Sequence, residues 1–312
     1  MMPAIATLIL AVLCALAWLF SRMKADVHEH KVMHECDYAV SCLPAGENHS
    51  DAGKSSVVDF VNQVICADCL EFMRGLEDSC VDLFVTSPPY NLKNSSGNGM
   101  KDGRGGKWSR AALIKGYEGY SDDMPYDEYC AWQRDCITEM MRLLKPDGAI
   151  FYNHKWRVQN GLIQDRREIV EGFPVRQIII WKRKGGINFN PGYFLPTYEV
   201  IYLIAKPGFR LADKANKLGD VWEIKQDMNN PHPAPYPEEL TDRIISSTNA
   251  KLIVDPFAGS GTTGVSARRY GRDYVLIEKS PEYCGMIRLR MEGGSWNDKQ
   301  DRKDRKDRKR TA

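Results

Sequence analysis

Ten residues toward the carboxyl end, DPFAGSGTTG (255–264), constrain this chain more than any other stretch. They follow an apolar run, KLIVDPF (251–257), and lead into a helical segment reaching Tyr270, after which DYVLIEK (273–279) reads as a second strand. Strand, Gly-rich turn, helix and strand make a βαβ unit, which belongs in a parallel sheet with covered faces. Gly259, Gly261 and Gly264 have the G-x-G-x-x-G spacing. Glycines there let the backbone approach a ligand closely, and the helix start offers free N–H groups. Glu278 closes the second strand, where an acid can accept from a ribose diol. The turn is not a P-loop, because Val265 and Ser266 stand where Lys and Ser/Thr would be needed. It is not a nucleophile elbow either, since position 258 is Ala, so Ser260 reads as a turn residue. The glycines alone leave NAD, FAD and other adenosine ligands open.

The rest of the middle alternates in the same way. VNQVICA (61–67), VDLFVTS (81–87), GAIFYN (148–153), RQIIIWK (176–182) and YEVIYLIA (198–205) read as strands. Asp127 to Leu144 carries a helical stripe of Tyr129, Trp132, Cys136, Ile137, Met140, Met141 and Leu144, ended by Lys145-Pro146-Asp147-Gly148. A further helix is expected around 158–170, and another opens at Pro237, with two acids suiting its dipole. The fold class is α/β: a mainly parallel twisted sheet with helices on both faces. With 43% hydrophobic and 27% charged residues in 312, the chain can bury a large core, which excludes a wholly disordered or polytopic membrane protein. A net charge of +2 means that any nucleic-acid contact comes from local basic patches. Nine Cys at irregular spacing read as mostly reduced thiols. Cys66-x-x-Cys69 has no matching second pair nearby, so no metal site is expected.

A second motif, Thr86-Ser87-Pro88-Pro89-Tyr90-Asn91, sits at the carboxyl end of an expected strand, where open α/β sheets place their ligands. The paired prolines fix the backbone and restrict Ser87. Such a turn can aim a hydroxyl and a main-chain carbonyl at one point and present the Tyr90 ring for stacking. Two acceptors and an aromatic face suit an exocyclic amine on a flat base.

TSPPYN together with DPFAGSGTT resembles the amino-methyltransferase family of DNA modification enzymes, over about residues 60–292. The catalytic motif comes before the cofactor motif, which is similar to the family's permuted β-type order. ICADCLEFM, LLKPDGAIFYNHKW, IIIWKRKG, FLPTYEVIYLIAK and HPAPYPEEL (232–240) resemble further family segments in order. The resemblance implies a Rossmann-like methyltransferase fold with circularly permuted motif order. It also implies transfer of a methyl group from S-adenosylmethionine, without a metal, to a base flipped from duplex DNA, leaving S-adenosylhomocysteine. Ser87, Pro88, Pro89 and Tyr90 would be the catalytic turn. Asp68, Asp255, Phe257, Gly259, Gly261, Thr262, Thr263, Glu278 and His232 would form the cofactor side, although His232 between prolines also reads as a turn residue. Ser at the first motif position leans toward cytosine N4 over adenine N6.

Residues 93–116, Gly-rich with Lys93, Lys101, Arg104, Lys107 and Arg110, are expected to form a mobile loop over the DNA, with a solvated surface insertion as the bland alternative. Residues 206–230 are a short candidate target-recognition region. Residues 1–22 contain an uncharged apolar run of ~27 Å as a helix. Membrane anchor and translated extension both stay open for it, with the catalytic domain (58–292) on the cytoplasmic side in either case. Residues 23–57 read as linker. Residues 293–312 form a charged low-complexity tail, either solvated or phosphate-binding. A homodimer and a cognate restriction endonuclease are candidate partners. Two readings from other classes remain at this level: an NAD-dependent oxidoreductase, which leaves TSPPYN unexplained, and a tethered DNA-binding protein without catalysis.

Overall fold

A computed structural model of the chain describes residues 53–91, 124–159, 162–184, 191–227, 230 and 235–294. The apolar segment 3–20, the loop 93–116 with its Lys93, Lys101, Arg104, Lys107 and Arg110, His232 and the tail from 295 onward lie outside the described residues.

Ten strands are described: β1 (Gln63–Cys66), β2 (Val81–Thr86), β3 (Leu144–His154), β4 (Arg157–Gln159), β5 (Leu162–Gln164), β6 (Val175–Lys182), β7 (Tyr198–Ala205), β8 (Val221–Glu223), β9 (Leu252–Asp255) and β10 (Asp273–Glu278). The helices are α1 (Cys69–Arg74), α2 (Tyr126–Leu143), α3 (Arg167–Val170), α4 (Glu238–Ser246), α5 (Thr262–Arg269) and α6 (Pro281–Met291). Eight strands form one sheet in the order β1-β10-β9-β2-β3-β7-β6-β8. Its pairings are parallel except at β7, which runs antiparallel to both β3 and β6.

Alternation along the strands sorts the core into two layers. Phe84, Ile150, Val254, Val275 and Ile277 face one way and pack with α1, α2 and α3. Leu83, Val85, Phe151 and Ile253 face the other way, toward α4 and α5. Leu276 meets α6 through Ile287 and Met291 on that second face. With both faces covered, the central strands read as unbroken apolar runs. Helix starts carry their expected signals. Glu238 and Glu239 lie in the first turn of α4, and Ser280 caps α6 by accepting from the Tyr283 N–H.

Two expectations are corrected. Residues 158–170 are not a helix: β4 and β5 form an antiparallel hairpin with Val158 opposite Ile163, and only Arg167–Val170 is helical. The β-branched residues pair across the hairpin and no 3.6-residue stripe joins them. The expected stop at 145–148 is instead the front of β3, since α2 ends at Leu143 and the strand begins at once. Among the described residues no helix is long and apolar enough to cross a membrane.

Candidate active site

β2 and β9 are hydrogen-bonded neighbours, with Leu83 beside Ile253 and Phe84 beside Val254. The chain leaves β2 for α2 and β3 on one side. It leaves β9 for α5 and β10 on the other. Strands that diverge in this way open a crevice at their carboxyl ends. Ser87 and Pro256 therefore emerge side by side although 169 positions apart in sequence.

One cavity occupies this crevice. Of the residues expected from sequence, Asp68, Ser87, Pro89, Phe257, Gly259 and Glu278 line it. Pro88, Tyr90, Asp255, Gly261, Thr262 and Thr263 are not in its wall. Asp68 follows β1, whose Cys66 pairs with Glu278 of β10, so the two acids arrive together. Asp68 caps α1, accepting from the Leu70 and Glu71 N–H groups, and its other oxygen lies 3.2 Å from Lys279 Nζ. Glu278 accepts from the Gly259 N–H and the Ser280 N–H, each at 2.8 Å. Burial nevertheless pushes its carboxyl up to about 7. Trp132 and Phe257 meet edge to face at 5.6 Å in the wall, joined by Met124 and Tyr283.

Asp255 lies beneath the crevice and is fully buried. Its carboxylate accepts from Thr86 Oγ1 at 2.8 Å, Tyr236 OH at 2.5 Å, Thr263 Oγ1 at 2.5 Å and the Phe257 N–H at 3.1 Å. Burial raises its pKa against those hydrogen bonds. The acid ties the ends of β2 and β9 together and holds Thr263 inward. Gly261 takes φ +77° at the start of α5, and a Cβ there would sit 2.7 Å from Ile287 Cγ2, so the turn needs glycine twice over. Arg290 of α6 donates to the Ser260 carbonyl and to Thr262 Oγ1, bracing the turn from below.

Behind Ser87 and Pro89, on the other wall, lies a network of side chains. Ser87 Oγ lies 2.6 Å from Tyr90 OH, which donates to Glu199 Oε2 at 3.0 Å. Asn153 Nδ2 donates to Tyr90 OH at 2.8 Å and to Glu199 Oε2 at 2.9 Å, and reaches Ser87 Oγ at 3.3 Å. Arg183 pairs with Glu199 at 3.3 Å, both side chains being under 10% exposed. Tyr129 OH donates to the Pro89 carbonyl at 2.8 Å. The Tyr90 ring, expected to offer a stacking face, is 4% exposed and packs on His154 at 5.0 Å. Glu199, Asn153, Arg183 and Tyr236 stand outside the TSPPYN and DPFAGSGTTG motifs of the sequence, and Tyr129 and Trp132 fall in the helical stripe expected to be core. An acid inside the apolar run YEVIYLIA was the available signal for Glu199. Among the described residues no group of His, Cys, Asp and Glu has a metal-holding arrangement, and Cys66 and Cys69 are free thiols.

Comparison with known proteins agrees with this geometry. The N6/N4 family model described as DNA methylase matches residues 81–288. The type II methyltransferase M.BglII of Bacillus subtilis is 26% identical over 278 residues, covering 75% of this chain and 69% of that protein. M.HpaI of Haemophilus parainfluenzae, also a type II methyltransferase, is 23% identical, covering 74% of each. Among solved structures, the PvuII DNA methyltransferase (cytosine-N4-specific) superposes with a TM-score of 0.56 at 19% identity, over 73% of this chain and 85% of that one. A DNA modification methylase from Thermus thermophilus, complexed with S-adenosyl-L-methionine, gives 0.52 at 24% identity, over 73% and 93%. With the Ser87–Tyr90 turn and the Gly-rich turn both inside the matched stretch, the chain belongs to the DNA methylase family and is a DNA methyltransferase.

Proposed function

We propose that this chain moves the methyl group of S-adenosylmethionine to the exocyclic N4 amine of a cytosine flipped out of a short duplex site. The observation that carries this reading is the single cavity with Ser87 and Pro89 on one wall and Asp68, Phe257, Gly259 and Glu278 on the other. The second wall fits the cofactor. Two carboxylates can accept from hydroxyl and amino groups, the Gly259 backbone is open to close approach, and the Trp132–Phe257 pair offers an apolar edge to a purine.

The bound cofactor supplies a methyl group already activated on a sulfonium. The protein's share is therefore positioning. Ser87 accepts an N–H of the target amine, whose lone pair is otherwise delocalised into the ring. The Pro88 carbonyl is a second acceptor, since the Pro89 carbonyl is occupied by Tyr129. The base must leave the stack, because its amine is otherwise paired. A neutral hydroxyl at position 87 and the cytosine-N4-specific name of the PvuII neighbour favour cytosine. Adenine N6 is the second reading, since its amine offers the same donor. Lys93, Lys101, Arg104, Lys107 and Arg110 supply phosphate contacts in this scheme, and residues 206–230 the base reading. The type II methyltransferase names of the relatives favour a role in restriction-modification or DNA protection.

Incubating the full chain with duplex DNA and methyl-labelled cofactor, followed by nucleoside mass spectrometry, tests the reading. N4-methylcytosine is expected. N6-methyladenine would move the assignment to the second base, and no labelled nucleoside would overturn it.

A further inference from the structure

We propose that Glu199 sets the direction of the hydrogen-bond chain ending at Ser87 and receives the proton that the methylated amine sheds. This rests on the methyl-transfer reading above and assigns Glu199 as a positioning residue that acts through Tyr90.

Glu199 is 6% exposed in a strand of otherwise apolar residues, a costly place for a carboxylate unless it is paired. Arg183 pairs with one oxygen, while Tyr90 and Asn153 donate to the other. An ionised carboxylate only accepts, so the single phenolic proton of Tyr90 points at Glu199. The 2.6 Å contact between Tyr90 OH and Ser87 Oγ must then be donated by Ser87. Its own proton is turned inward. Ser87 thus meets the cavity as a hydrogen-bond acceptor. An amine satisfies it, whereas a ring carbonyl brings lone pair against lone pair. The carboxylate, two side chains removed from the base, selects cytosine or adenine over uracil or hypoxanthine.

The same chain carries the proton. The nitrogen lone pair forms the N–CH3 bond, the S–CH3 pair stays with sulfur, and the nitrogen is left with one proton in excess. That proton passes to Ser87 Oγ as the Ser87 proton moves to Tyr90 and the Tyr90 proton to Glu199. Both hydroxyls end neutral, with their hydrogen bonds reversed, and the carboxylate ends protonated. The groups facing this route are Arg183 beyond β6, Asn153 and His154 of β3, and Tyr129 of α2, whose hydroxyl meets His154 Nε2 at 2.7 Å.

Glu199→Gln keeps the shape but cannot take the proton. In the full chain, single-turnover methyl transfer should fall about 10²-fold, with cofactor affinity by calorimetry within about twofold of wild type. Binding without turnover gives the independent readout. With S-adenosylhomocysteine present, duplexes carry the target base or its carbonyl counterpart (uracil for cytosine, hypoxanthine for adenine), each opposite an abasic position. Wild type should prefer the amine by about tenfold, and the variant by no more than about twofold. Tyr90→Phe leaves Glu199 paired to Arg183 and Asn153 and should lose the same preference, so it carries the test if Glu199→Gln unfolds. A variant with wild-type rate and preference overturns the inference. Absence of methyl transfer in the wild type instead overturns the function on which it rests.

Discussion

On the β9–β10 side of the crevice the cavity is lined by glycine backbone and strand-end carboxylates; on the β2 side it is lined by Ser87, whose hydroxyl is wired through Tyr90 to the buried Glu199–Arg183 pair. The first wall is assembled within short stretches of chain and depends on close approach. The second draws Ser87, Asn153, Arg183 and Glu199 from four separate segments and depends on the direction of each hydrogen bond. In the proposed reaction one wall holds the ligand and the other orients the reacting group, and Asp255 joins them underneath.

Substitutions can separate the two walls. Ser87→Ala should lower single-turnover methyl transfer by about 10²- to 10³-fold while leaving cofactor affinity within about twofold, as compared by rapid quench and calorimetry. A parallel loss of both would erase the distinction. Asp255→Ala should damage both walls at once, destabilising the fold by about 3 kcal/mol in denaturant titrations because it strands three hydroxyls and an N–H. Gly264→Ala strikes only the first wall. Its Cβ would meet Leu276 Cδ1 at 2.5 Å, for about 2 kcal/mol of destabilisation in the same titrations. A variant as stable as its parent would show that Leu276 and Met291 can give way.

The smallest effect is in pH. Burial raises Glu278 from its usual 4.5 to about 7, so the stabilisation contributed by its protonated form is complete below pH 4.5 and lost as pH rises through 7. Cofactor affinity should run the other way, since hydroxyl donors prefer the ionised acid. Calorimetry should show a rise of about tenfold between pH 6 and pH 8, and Glu278→Gln should flatten it.

What was legible in the sequence followed the same division. Asp68, Gly259 and Glu278 sit at strand ends inside contiguous motifs, where local pattern and position in the sheet coincide. TSPPYN was visible for the same reason. Glu199 was not, because its meaning lies in Tyr90, 109 positions away, and a lone acid in a β-strand says nothing about which hydroxyl it faces; Arg183 takes its meaning only from that acid. Asp255 was read as a cofactor residue from its place in the motif, yet its side chain turns down toward Thr86 and Tyr236. The antiparallel run of β7 escaped a reading that expected parallel crossovers. The hairpin at 157–164 escaped through an overlooked local signal: Asn160-Gly161, the dipeptide that two-residue hairpin loops favour, stands between the paired strands.

The pairing of β1 with β10 has a consequence for synthesis. Gln63 lies beside Val275, so the first strand of the sheet to leave the ribosome waits for the last. At about 5–20 residues per second, that delay is on the order of 10–40 seconds. Throughout it, the floor beneath Asp68 and Glu278 does not yet exist. A nascent chain halted short of residue 278 would carry Ser87 without the wall that Asp68 and Glu278 share.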